Sequence, residues 1–192
     1  MRAAVPLLSL LLAGCAAHVD AGALLVSGPA GFAVDSRATR SHLSAGEIAQ
    51  ALPSDPDLTR HALGHLRAAA VRVFRAPSGD FVLTAVLRFG TAPQAEAFQA
   101  DQVAQIRQRA ALLDPSTAGK ANGVFPTATL PGASTFVVGG TARAGGHPIF
   151  VEGVLFTVGM RAYVVENGGS APANTATAEQ YAAQQYALAK ES

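Results

Sequence analysis

Cysteine is almost missing from this 192-residue chain. The single one, Cys15, excludes an intramolecular disulfide framework and a cysteine-rich zinc module. Charge is sparse too, at 14% of residues, and balances to a formal net charge of +1 without a basic cluster. Nothing in that pattern points to nucleic acid. Beyond the amino terminus no apolar run is long enough for a transmembrane helix. Apolar residues nevertheless make up 49% of the chain, alongside 19 Gly and 11 Pro. Such a composition argues against disorder. The length allows one domain or a compact pair of half-domains, and a chain near 150 residues already buries about 70% of its unfolded surface.

The amino terminus carries the most specific signal. Met1-Arg2 is a minimal positive region, Val5 to Leu12 is a short apolar one, and Ala13 and Gly14 lead into Cys15. That order reads as a secretory signal peptide, too short to span a bilayer. The run Leu12-Ala13-Gly14-Cys15 resembles the lipobox of bacterial lipoproteins: an aliphatic residue, two small ones, then the cysteine that follows cleavage. The resemblance implies that residues 1–14 are removed and that the Cys15 thiol carries the diacylglycerol. Residues 15–30 then form a tether, and residues 31–192 a single domain. Acyl chains such as palmitate contribute about 0.8 kcal/mol per buried methylene, so two hold stably without a basic patch. Cleavage would remove Arg2 and no acidic residue, leaving 13 basic against 13 acidic side chains and a formally neutral body. The expected location is the cell membrane, lipid-anchored and facing outside the cytoplasm. Arginine outnumbers lysine 12 to 2, the codon bias of a GC-rich bacterial genome.

The body reads as α+β. Ser44 and Glu47 form a capping box that opens a helix over Ala45–Leu52, stopped by Pro53 and Pro56. Apolar Leu58, Ala62, Leu63, Leu66 and Ala69 recur at helical spacing, which predicts a second helix over Asp57–Ala70. Val71–Phe74 and Phe81–Phe89 flank Ala76-Pro77-Ser78-Gly79-Asp80 and read as a β-hairpin. Apolar residues on both faces of the second strand predict cover on both sides. A capping box at Thr91 and Gln94 opens a helix over Ala92–Leu113, with Ala95, Phe98, Val103, Ile106 and Ala110 on one side and its glutamines elsewhere. Residues 116–131 read as a loop anchored by Val124-Phe125. Ser134–Thr141, Ile149–Val158 and Ala162–Glu166 read as a three-strand meander, and Thr177 with Gln180 as the cap of a last helix to about Lys190.

The result is an antiparallel sheet built from a hairpin and a meander, with helices packed on it, in two halves of similar strand-then-helix order. The segment Arg88-Phe89-Gly90-Thr91-Ala92, with Ala95 and Phe98, resembles uncharacterised exported proteins of actinobacteria. Element order alone is similar to PsbP/Mog1-like domains of exported lipoproteins. Fold analogy of that kind carries no chemistry.

Candidate chemistry is thin. His61 and His65 stand four apart on the expected helix, with Asp57 one turn earlier, a spacing at which two imidazoles can share a metal ion. The glutamate of the zincin motif is absent between them. No nucleophile elbow is present, and the glycines of 139–146 lack phosphate-loop spacing. Glu152 shares a strand face with Phe150 and Val154, so it must be exposed, paired or shifted in pKa. Arg143 or Arg161 on a neighbouring strand is the expected partner. Without a catalytic constellation or an implied cofactor, the leading expectation is a non-enzymatic domain that binds a small apolar ligand or an envelope protein. The alternative is a cell-envelope enzyme, metal-dependent through His61 and His65.

Overall fold

The computed structural model describes residues 27–51, 62–111, 122–127, 129–141, 148–169 and 175–191. The expected α+β architecture is what it has. Seven strands form one sheet: β1 (Ala33–Val34), β2 (Leu66–Arg75), β3 (Phe81–Phe89), β4 (Gly123–Pro126), β5 (Ser134–Thr141), β6 (Pro148–Val158) and β7 (Arg161–Gly169). Three helices pack on it: α1 (Ala45–Ala51), α2 (Ala92–Ala111) and α3 (Thr175–Glu191). The strands lie in the order β1-β2-β3-β7-β6-β5-β4, every neighbouring pair antiparallel.

Both sheet faces are covered, which is why the strands are apolar on both sides. On one face Ala69, Val71, Ala85, Leu87, Val164 and Leu155 pack against Ile48 of α1 and Phe98 and Ile106 of α2. On the other, Val86, Val154, Phe156, Tyr163 and Val165 pack against Ala178 and Ala182 of α3. There the Phe156 ring stacks on Tyr163 at 4.9 Å and meets Tyr186 edge-on at 5.8 Å. The β2–β3 hairpin turns where expected, with Gly79 at φ +93° and the Ala76 N–H donating to the Asp80 carbonyl at 2.9 Å.

Where the chain enters the sheet, Phe32 packs with Phe74, Val82 and Tyr181. The outer edge of β2 is closed by irregular chain. The Asp35 and Arg40 N–H groups donate to the Val73 and Val71 carbonyls, and the Thr39 hydroxyl accepts the Val73 N–H. Arg75 Nε donates to Asp35 Oδ2 at 2.8 Å, which holds that carboxyl below its ordinary range.

Four readings of the sequence need correction. Of the helix expected over Asp57–Ala70, residues 57–61 lie outside the described residues, Leu63–His65 form a 3-10 turn, and Leu66–Ala70 belong to β2, paired with β3. Leu66 and the three alanines favour a helix by local propensity, and pairing with the edge of β3 overrides it. Val124-Phe125, expected in a loop, lie in β4 against β5. The last helix begins at Thr175, placing Thr177 inside its first turn rather than at its cap. Finally, Gln99, Gln102 and Gln105 of α2 are buried, although expected away from the core side.

The capping box at α1 forms as expected. The Ser44 N–H and hydroxyl both donate to Glu47 Oε2, at 2.8 and 2.7 Å, and the Glu47 N–H donates back to Ser44 Oγ at 3.3 Å. Ser44→Ala is expected to cost about 1 kcal/mol in urea unfolding, because α1 seats Ile48 and Ala49 on the sheet. An unchanged midpoint would show that α1 is held by packing alone.

Candidate functional site

The sequence candidates do not converge. Cys15, His61 and Asp57 lie outside the described residues. His65 ends the 3-10 turn, exposed to solvent. Among the described residues no group of three or more His, Cys, Asp or Glu is placed to hold a metal ion.

Glu152 is only 1% exposed and lies between Val137 of β5 and Asn167 of β7. Arg161 is opposite Val158, six residues further along β6. At about 3.3 Å per residue that is roughly 20 Å away, so the expected ion pair between them is not made. Arg143 lies outside the described residues.

A second carboxylate, on the opposite sheet face, is the more perturbed. Glu166 of β7 sits between Leu83 of β3 and Gly153 of β6, with Val164 and Gly168 as its neighbours along the strand. Its Oε1 is buried without a hydrogen-bond partner, and burial pushes its pKa from 4.5 up to about 7. Sequence reading did not single it out; its alternation with Val164 and Ala162 is the signal that could have placed it on a core face.

Among the described residues, space that can take a ligand is found beside α2, at the β4 edge of the sheet. Arg107 of α2, the end of β4 with Phe125 and Pro126, Thr127, and the turn over residues 129–134 line an open cleft of about 450 Å³. That size falls within the range of small-molecule sites. One wall is set by buried glutamine: Gln99 Nε2 donates to the Gly132 carbonyl at 2.8 Å and to the Leu155 carbonyl at 3.3 Å. The turn it pins has Gly132 at φ +73° and is closed by the Ala133 N–H on the Leu130 carbonyl. The opposite wall is β4, whose Phe125 ring lies across Gly123 and remains 43% exposed. A void of only about 20 Å³ remains between Leu43, Ile48 and the sheet, so close packing has consumed the apolar space under α1.

The cleft combines one guanidinium and several hydroxyls with an aromatic ring and prolines. Thr127 Oγ1 is buried without a hydrogen-bond partner. None of the described lining residues is a carboxylate or an imidazole that could act as a base toward these hydroxyls. The arrangement is equipped to hold an anion and an apolar group side by side.

No protein-family model and no curated protein matches the chain. Its fold is similar to the extracellular domain of PknH from Mycobacterium tuberculosis, with a TM-score of 0.53 and 17% identity. The likeness covers 88% of this chain and 81% of that one. At that identity it is a likeness of fold, and it places this chain with the α+β sheet domains.

Proposed function

We propose that this protein is an exported, lipid-anchored domain that binds a ligand at the cell surface without transforming it. The observation that carries the reading is the lipobox-like run Leu12-Ala13-Gly14-Cys15 behind a short apolar segment. The fold likeness to a domain that is extracellular in another protein supports it. The open cleft, whose described lining offers a cation and hydroxyls but no carboxylate or imidazole, supports binding over turnover. Cys15 is the anchor in this reading, and the neutral body needs no charge of its own to stay at the membrane.

The test is intact mass spectrometry on membrane and soluble fractions of a bacterial host. The native chain is expected in the membrane fraction, beginning at Cys15 with a diacylglycerol or triacyl mass. Cys15→Ser is expected to abolish the added mass entirely and to leave residues 1–14 attached or cut elsewhere. A native chain recovered soluble and unmodified would overturn the reading.

A further inference from the structure

We propose that the cleft between α2 and β4 binds a small amphipathic anion, a single carboxylate or phosphate on a short apolar body. This deepens the binding role proposed above and does not depend on the lipid anchor. Arg107 stands on the exposed flank of α2 and no ion pair engages it among the described residues. A cation at the rim of a concave site, with low-dielectric walls, concentrates anions. Thr129 and Ser134, both on the lining and neither of them buried, offer hydroxyls as the second polar contact.

The apolar half of the ligand has its own surface. Phe125 and Pro126 of β4 and Pro131 of the turn line it. Phe125 is one of the few large apolar side chains left exposed among the described residues. Both walls are pre-formed, since Gln99 fixes the turn to α2 and β5 pairs with β4 from Gly123 to Pro126. Little ordering entropy is then spent on closing the site.

The experiment is calorimetric titration of the purified full-length chain with octanoate, octyl phosphate, octanol and inorganic phosphate. Octanoate and octyl phosphate are expected to bind at least tenfold more tightly than octanol or inorganic phosphate. A preference between the two anionic probes separates a fatty-acid source from a phosphate headgroup. Arg107→Ala is expected to reduce binding of both anionic probes at least tenfold, with Arg107→Lys restoring part of it. Thr129→Val, close in shape, is expected to weaken them about threefold and Phe125→Ala more. Raising the salt concentration weakens the anionic probes alone.

Equal binding of octanol, or an Arg107→Ala protein that binds as the native chain does, would overturn the proposal. So would the absence of binding by either anionic probe at millimolar concentration. If that happens while Cys15 is lipidated, the cleft assignment fails and the exported-domain reading stands. Tight binding by a chain with an unmodified Cys15 gives the converse.

Discussion

Glu166→Met is expected to stabilise the protein at pH 8 by about 3 kcal/mol, raising Tm by roughly 6–12 °C. The carboxyl is buried among Leu83, Val164 and Gly153, and burial alone pushes its pKa from 4.5 to about 7. The folded protein therefore holds this proton over a pH range in which the unfolded chain releases it. Below pH 4.5 both states are protonated and the ionisation penalty vanishes. Between pH 4.5 and 7 stability falls as pH rises, and above 7 the full penalty persists, at about 1.4 kcal/mol per pKa unit. Methionine fills a similar volume without a charge to desolvate. Subtracting the unfolding free energies of native and variant chains from pH 4 to 9 isolates this residue from every other titrating group. The difference should be small at pH 4, grow through pH 7 and then level off. A difference that is flat, or that shrinks as pH rises, would mean the carboxylate is solvated or paired in solution.

The second large effect is expected at Gly153, in the middle of β6. A Cβ placed there would run into the Phe136 ring and come within 2.8 Å of the Val165 carbonyl oxygen. The ring belongs to the core and the carbonyl to the β6–β7 ladder, so neither yields cheaply. Gly153→Ala is expected to cost about 3 kcal/mol or more, the upper range for overpacking a core. Phe136→Leu in the same chain should recover part of that, because the ring is the larger of the two obstacles. A double-mutant cycle by urea denaturation should give a coupling of at least about 1 kcal/mol. Strict additivity would place the strain on the carbonyl alone, and a near-neutral Gly153→Ala would mean the sheet accommodates a side chain here.

Much of this fold is legible in local sequence. The Phe81–Phe89 and Ser134–Thr141 strands run as read, because turn residues bound them and both faces are apolar. The Ser44–Glu47 box is a contact between residues three apart, and it forms. Local sequence misleads where distant chain decides. Leu66 and Ala69 fit a helical stripe, yet they pair with Phe89 and Leu87 once β3 offers its edge. The buried glutamines of α2 look like a solvated face until Gln99 meets the Gly132 and Leu155 carbonyls.

The same limit governs the candidate site. The cleft takes Arg107 from a helix, Phe125 from a strand and its other wall from a turn, three segments with no common motif. Glu152 stands out in sequence beside Phe150 and Val154. Glu166, beside Val164, carries the same kind of signal, but what raises its pKa is complete burial between β3 and β6, which only strand register reveals.

The pairing of β3 with β7 also decides how the chain reaches this structure. The β2–β3 hairpin and the β4 to β7 meander each rest on contacts close in sequence, and such units form early. Each, while alone, has an open apolar edge: β3 in one and β7 in the other. Joining Phe81 to Gly168 and Arg88 to Arg161 closes a loop that contains α2 and the whole meander, an entropic toll that local hairpins do not meet. Until that seam zips, the β3 edge of one molecule can pair as readily with the β7 edge of another, which makes this interval the time of greatest exposure to strand-swapped dimers and aggregates. Once it has zipped, the outermost strands of the sheet among the described residues are the short β1 and β4.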